Sequence, residues 1–587
     1  MNAPHPAIAL LCLSVLLGCA GGASEPATPA PESGKRLVAE QGAVTSASPW
    51  ASEAGVEMLR RGGNAVDAAI ATAFAIGVVE PQMSGLGGGG AALVWQQAEQ
   101  RADYLDFYSS QPLAPFIDNP AAPSPDGPDL RVIAVPGEVA GLAALHERFG
   151  SLPWADLVAP AIRLAEDGFP ANQILAQMIR SDSAKLHSFA DAAAHLWPGG
   201  NALAPGARLR NPRLGAVLRR IAADGAAAFY QGEVAREVIA LMNRGGHPVD
   251  ETSFAGFEPQ WKRPLCGDYR GQVILSAPPP QTGAQVLHTL ELLEPFDMAE
   301  LGLPTRSPRA FDVLTSALRV GMADNAGNDD PDWSGVPARG TVSNAFALSR
   351  AGQVGKGSVT AEVTPGDAAS FDDSPLAPGC AVHEPWQAPE RPGMDPDAEP
   401  DANASAEGGE TTHISVVDAD GNAVALTQTN SSLFGSGAMA AGFFLNDSGY
   451  RFTPSTLALR GRRPWRTRTS TIAPTVVLED ERVKMVVGAP GGGRIPTAIA
   501  QNMVYTLDYG LDPLDAVRMP RIFPSPGNAR VQLENGFSPA VLESILEMGY
   551  EPAALSFGYA RLYMIVRDGD RWIAVADPRH DGEPRGY

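Results

Sequence analysis

The stretch Ala65–Val79 constrains the fold more than any other part of the chain. Its sequence, AVDAAIATAFAIGVV, is apolar on nearly every side. Wound as a helix it has no face to give to water, so it must be buried all round. The chain has material to bury it: 587 residues, 44% hydrophobic and 19% charged, which is globular composition. That length is compatible with several domains. Helical spacing recurs at Ser48–Arg61, which stops at Gly62-Gly63, and at Glu138–Phe149, Ala155–Gly168, Leu214–Leu241, Gly283–Leu293 and Ala310–Ala323. Strand-like runs cover Ala91–Trp95, Arg131–Ala134 and 270–276. Beyond residue 411 the pattern changes to hairpins: Thr412–Asp418 with Ala423–Thr429 around Asp420-Gly421, Thr475–Leu478 with Val483–Val487, and Leu562–Val566 with Trp572–Val575. Helices at Ile495–Tyr509 and Pro539–Met548 lie between them. Helices first, then hairpins and helices, predict an α+β chain whose sheets are sandwiched between helical layers.

Charge is unevenly spread. The net charge is −22, which argues against wrapping a nucleic-acid backbone. Residues 367–410 hold eleven acidic side chains and one arginine, so this segment carries −10 of that total. It is rich in Pro, Asp, Glu, Ala and Gly with little apolar periodicity, and is expected to be a mobile linker. The apolar run Ala7–Leu17 has the length of a signal-peptide core and is too short to span a membrane. Leu16-Leu17-Gly18-Cys19 resembles a bacterial lipobox, although no Lys or Arg precedes the apolar run. The expectation is therefore a leader at 1–19, lipidation at Cys19, a flexible tether at 20–36 and a periplasmic or cell-surface location. Such a compartment permits disulfides. Outside the leader only Cys266 and Cys380 remain, and nothing in the sequence brings them together, so the favoured expectation leaves them unpaired.

Two glycine-rich loops stand out. Gly85–Gly90 formally matches a dinucleotide fingerprint, but a helix precedes it and a strand follows, the reverse of what that motif needs. It is read as a tight structural loop or the wall of a site. Gly488-Ala489-Pro490-Gly491-Gly492-Gly493 does run from a strand into a helix. Its backbone N–H groups are suited to an anion or a developing oxyanion, or the loop is an ordinary turn. Glu410-Thr411-Thr412-His413 follows the acidic segment directly. Taken alone, a Thr-Thr pair opening a strand reflects β propensity. If the chain were cut before Thr411, however, that residue would own both a hydroxyl nucleophile and a free α-amine of pKa about 7.7–8.0, able to act as its own base. His413 lies on the same strand face and offers an alternative base; the amine is preferred because it needs no further placement.

Taken together, these residues resemble the gamma-glutamyltranspeptidase family of N-terminal-nucleophile hydrolases. The matching blocks are Gly63–Ala69, Leu86–Gly90, Pro136–Gly141, Pro278–Pro280, Thr411–Asp418, Phe434-Gly435 and Gly488–Gly492. The resemblance implies a four-layer αββα sandwich and a precursor that cuts itself between Glu410 and Thr411. The products would be a large chain, 37–410, and a small catalytic chain, 411–587, held together as a heterodimer. It implies Thr411 as nucleophile, Thr429 as partner of the new amine, and the backbone of Gly491 and Gly492 as oxyanion hole. It implies Ser470 and Thr471 on the substrate's α-carboxylate, and Ser431, Ser448, Tyr108 and Arg451 at the substrate end. No metal or organic cofactor is implied. The substrates would be glutathione and related gamma-glutamyl amides, with water or an amine as acceptor.

The chain departs from the family at that substrate end. Tyr108 follows Leu105-Asp106-Phe107 where the family has Arg, and a neutral phenol cannot replace a bidentate guanidinium. Arg451 stands in Tyr450-Arg451-Phe452 where the family has an acid facing the α-amine; Asp447 is near, but out of register. Ser431 takes a position usually held by Asn or Glu, and 452–464 is too short for the lid loop of some members. The expected alternatives are an acylase for acyl groups that lack an α-amine, as in the related cephalosporin acylases, or a silent lipid-anchored homologue.

Overall fold

The computed structural model describes residues 34–110, 130–245, 249–331, 335–383, 385–387, 410–451, 470–555 and 559–587. Two seven-stranded antiparallel sheets form its centre. One runs in the order Arg585–Gly586, Ala43–Thr45, Glu410–Val417, Ala423–Ser431, Gly89–Gln96, Arg101–Phe107, Gln260–Lys262. The other runs Arg36–Ala39, Arg571–Ala576, Tyr563–Asp568, Arg482–Gly488, Thr475–Glu479, Gln272–Ser276, Leu265–Tyr269.

Side-chain alternation sorts each strand between two cores. Ile414, Val416 and Leu426 join the helices Pro49–Arg60, Ala65–Val79, Glu138–Phe149 and Trp154–Asp167 in one apolar cluster. Val417, Leu93 and Ala425 face the other way and join Val477, Val487 and Ile565 of the second sheet. That cluster continues into the helices Gly283–Leu293, Pro308–Asp324 and Ile495–Leu507. The layers are therefore helix, sheet, sheet, helix, the αββα order expected. In Ala65–Val79 every residue except Gly77 is buried. Asn64 caps the helix by accepting from the Val66 and Asp67 N–H groups, while Asp67 accepts in return from the Asn64 N–H.

The first glycine loop has a packing role. A Cβ on Gly88 would lie 2.3 Å from the Thr429 carbonyl oxygen, and one on Gly90 2.2 Å from that of Thr427. Bare backbone at these positions lets Gly89–Gln96 close against Ala423–Ser431. His413 works between the sheets. Its Nδ1 pairs with Thr427 Oγ1 at 2.8 Å and its Nε2 with Ser415 Oγ at 3.0 Å. Gly488 of the opposite sheet leaves room for the ring: a Cβ there would sit 2.2 Å from His413 Cε1. With both nitrogens taken, His413 is not the base partner of Thr411, and that alternative is corrected. Burial depresses the His413 pKa to about 3, so the ring is neutral.

Other expectations need correction. The helix expected over Leu214–Leu241 is three, Pro212–Asp224, Ala227–Tyr230 and Gly232–Arg244, broken where Gly225 and Gly232 take φ of +69° and +75°. Arg131–Ala134 is a 3-10 turn rather than a strand, with one bridge from Val135 to Ser110. The mobile-linker expectation fails for its first part. Ala368, Cys380, His383 and Trp386 are buried, and Trp386 N–H donates to the Pro264 carbonyl at 2.8 Å. Cys266 and Cys380 form a disulfide, with Cα atoms 5.7 Å apart and a sequence separation of 114. Composition hid this because a few apolar side chains and one covalent bond suffice to hold an otherwise polar segment. Residues 388–409 lie outside those described, as do the leader at 1–19 and most of the tether.

Reducing the Cys266–Cys380 bond, or replacing both cysteines by Ser, is expected to cost about 2–4 kcal/mol by releasing a long loop in the unfolded chain; a denaturant midpoint that ignores reductant would refute this. For His413, the unfolded imidazole titrates near 6.5 and the folded one near 3. Between those values the unfolded chain binds the extra proton, so stability falls as pH drops below about 6.5. His413→Gln should flatten that part of the midpoint-versus-pH curve relative to the parent protein.

Candidate active site

The strand Glu410–Val417 pairs with Ala423–Ser431 along its length, with one irregularity. Glu410 stands opposite Ser431 and Thr412 opposite Gln428, so Thr411 alone faces both Thr429 and Asn430. Such a bulge re-aims a side chain. Here it brings two hydroxyls together, with Thr411 Oγ1 donating to Thr429 Oγ1 at 3.3 Å. Thr429 Oγ1 also accepts from the Ser431 N–H at 2.8 Å and donates to the Glu410 carbonyl oxygen, the acceptor half of the Glu410–Thr411 peptide bond. One proton and two lone pairs are thereby all used. Both threonines are buried.

A second line of hydroxyls continues from this point. Ser431 has φ +81°, a conformation that costs a non-glycine residue roughly 1–3 kcal/mol. Its Oγ lies 2.8 Å from Ser448 Oγ and 3.4 Å from the Tyr108 hydroxyl. Asn446 organises the floor: it donates to the Gly87 and Ala134 carbonyls at 2.7 and 2.9 Å and accepts from the Ser448 N–H at 3.1 Å. Asp447 is occupied by the Ser432 N–H at 3.0 Å. Tyr108 is seated by Asp106, which accepts from the Tyr108 N–H at 3.1 Å and from Lys262 Nζ at 2.8 Å. Lys262 also donates to the Pro279 carbonyl at 3.2 Å, and the next carbonyl, Pro280, accepts from the Ser470 N–H at 3.3 Å. The Thr471 carbonyl accepts from Thr282 Oγ1 at 2.8 Å. Ser470 and Thr471 are thus linked to the Tyr108 side through Pro279-Pro280 and Lys262.

The second glycine loop approaches from the opposite sheet. Gly491 and Gly492 take φ of +139° and +57°, and a Cβ on Gly491 would lie 2.6 Å from Ala560 Cα. The loop therefore depends on glycine for both conformation and space. Arg561 ties it to the nucleophile strand: its N–H donates to the Pro490 carbonyl at 3.1 Å, and its guanidinium pairs with the Glu410 carboxylate at 2.9 Å. Glu80 is the second acid near Arg561. Burial pushes its carboxyl up to about 8, with the Arg561 charge offsetting only part of that rise. At neutral pH Glu80 is therefore mostly uncharged and Glu410 is the anion that Arg561 faces. Sequence reading missed Arg561, Asn446 and Glu80. An arginine inside the apolar run Tyr559–Tyr563 was the available signal, because a charge in such a run is buried only with a partner.

Of the sequence-predicted residues, Glu410, Thr411, Thr429, Ser431, Ser448 and Tyr108 form one connected hydrogen-bonded group. Arg451 ends a short 3-10 turn, Ser448–Arg451, but its side chain lies outside the described residues, as do Cys19 and the shortened 452–464 segment.

Known proteins resemble this chain over nearly its whole length. The family model "Gamma-glutamyltranspeptidase" matches residues 51–587. A "Glutathione hydrolase proenzyme" of Escherichia coli (strain K12) is 32% identical over 575 residues, covering 94% of this chain and 92% of its own. An "Acylase ACY 1 proenzyme" of Pseudomonas sp. (strain SE83) is 31% identical, covering 89% and 88%. The solved cephalosporin acylase from Bacillus halodurans superposes with a TM-score of 0.80 over 96% of this chain and 99% of its own; at 24% identity it speaks for the fold alone. The chain belongs to the gamma-glutamyltranspeptidase family.

Proposed function

We propose that the protein is a self-cleaving Thr-nucleophile amidohydrolase or acyltransferase acting on gamma-glutamyl amides such as glutathione. The observation that carries this reading is the hydrogen-bond path from Thr411 Oγ1 through Thr429 Oγ1 to the Glu410 carbonyl oxygen. In the uncut chain Thr411 Oγ attacks the Glu410 carbonyl carbon while the Thr429 hydroxyl steadies the oxygen as it gains charge. The C–N bond breaks, the hydroxyl proton passes to the departing nitrogen, and water splits the resulting ester. The products are a Glu410 carboxylate and a free Thr411 amine. That amine, with a reference pKa of about 7.7–8.0, then serves as base for its own hydroxyl. In turnover Thr411 Oγ takes the acyl group, Gly491 and Gly492 N–H groups receive the oxyanion, and the substrate's amine leaves. Water or an acceptor amine releases the acyl group. Ser470 and Thr471 serve the substrate's α-carboxylate in this scheme.

A second reading has a specific observation in its favour. Tyr108, a neutral phenol, is buried against Ser431 at the position where the family resemblance implies Arg. A neutral phenol offers no charge to a substrate α-carboxylate, which weighs against ordinary gamma-glutamyl groups and toward the acylase alternative. The apolar leader and Cys19 support export and lipid anchoring at the cell surface or in the periplasm.

On a denaturing gel the wild-type chain should resolve into two bands, and Thr411→Ala should remain single and inactive; a Thr411→Ala chain that still matures would overturn the nucleophile assignment. Mature enzyme offered a gamma-glutamyl anilide and the matching glutaryl anilide distinguishes the two substrate readings. Faster release from the gamma-glutamyl compound supports the first, faster release from the glutaryl compound the second.

A further inference from the structure

Glu410 is held at both ends of its five-carbon skeleton at once. Its carbonyl oxygen accepts from the Thr429 hydroxyl, and its side-chain carboxylate pairs with Arg561 at 2.9 Å. Between the carbonyl carbon and the carboxylate carbon lie three carbons, Cα, Cβ and Cγ. A glutaryl amide has the same arrangement: an acyl carbon, three methylenes and a carboxylate. A gamma-glutamyl amide has it too, with the amine on the carbon next to the carboxylate. The uncut chain thus presents to Thr411 a five-carbon dicarboxylic acyl group of its own.

Resting on the reading of Thr411 as nucleophile, we propose that Arg561 is the specificity-determining cation of the acyl site, which Glu410 occupies first and the carboxylate of a glutaryl- or gamma-glutamyl-type acyl group occupies in turnover. The guanidinium has the attributes this role requires. It is buried, it has a single carboxylate within salt-bridge distance among the described residues, and its Nε makes no hydrogen bond. A buried guanidinium left without an anion is costly, so once Glu410 is cut away and displaced, Arg561 favours any acyl group that returns a carboxylate to the same distance. Its backbone fixes that distance, because the Arg561 N–H is bound to Pro490, the residue before Gly491. The loop proposed for the oxyanion and the cation proposed for the distal carboxylate therefore move as one piece. Arg561 also supplies positive charge on the small chain, independent of Tyr108 and of Arg451.

The test uses the full-length protein after maturation, titrated for active Thr411, with glutaryl and butyryl p-nitroanilides, which differ only in the terminal carboxylate. Wild type should favour the glutaryl compound in kcat/KM. Arg561→Gln should lower kcat/KM for glutaryl release by about 100-fold while changing butyryl release less than about threefold, and Arg561→Lys should restore part of the difference. Glu410→Gln should slow maturation, since its carboxylate is the anion that first fills the Arg561 site. An unaltered ratio in Arg561→Gln overturns the assignment. Should that variant not fold, inhibition of wild type by free glutarate against butyrate decides: equal inhibition overturns the assignment, and stronger inhibition by glutarate supports it. Absence of both maturation and anilide cleavage in wild type would instead refute Thr411 as nucleophile, a separate result.

Discussion

The reactive region depends on an inner β-ladder. Residues 412–417 are bonded to Ala423–Ser431 on one side, and 415–417 to Ala43–Thr45 on the other. A residue at the start of such a strand has little freedom of its own, because the strand downstream is held on one side from 412 and on both sides from 415. The one irregularity in the ladder, where Thr411 faces two residues, is also where two hydroxyls and a carbonyl converge. Rigidity and the local departure from regular pairing thus come from the same pair of strands. This is the arrangement a hydroxyl needs if its direction is to be set before any substrate arrives.

Around that ladder, several buried polar groups are fully paired. Asn446 makes use of both ends of its amide, Asp106 takes a lysine and a backbone N–H, and His413 spends both ring nitrogens on hydroxyls. Each would be costly unpaired. Glu80 differs: one carboxylate oxygen has no hydrogen-bond partner, and burial raises its pKa to about 8, so it holds its proton at neutral pH. The acids of this region are therefore divided by environment into a neutral one and a charged one.

Much of this was legible in the sequence, for identifiable reasons. The all-apolar Ala65–Val79 and the hairpins after residue 411 have periodicities that only buried layers satisfy, and they anticipated the sandwich. Thr411 could be named because it opens one of several short blocks of fixed order, and Thr429 and Ser431 because the resemblance extends to them. What could not be read was long-range. No spacing announces that Cys380 meets Cys266, that Arg561 reaches Glu410 across 151 residues, or that Gly488 leaves room for His413. Each joins segments that only the two-sheet packing brings together. The breaks at Gly225 and Gly232 were visible as glycines, but apolar periodicity on either side outweighed them.

The two sheets have one more consequence. Each contains strands from both sides of Thr411: Ala43–Thr45 and Gly89–Gln96 flank the strands beginning at 410 and 423, while Arg36–Ala39 and Gln272–Ser276 bracket those of the other sheet. The disulfide joins two residues that both precede residue 410, so it does not bridge a break at that point. A chain opened before Thr411 would therefore couple separation of its halves to unfolding, with a stability that depends on protein concentration as that of the uncut chain does not. Its halves could not separate without tearing both sheets, and their association would have no dissociation constant apart from the free energy of unfolding itself.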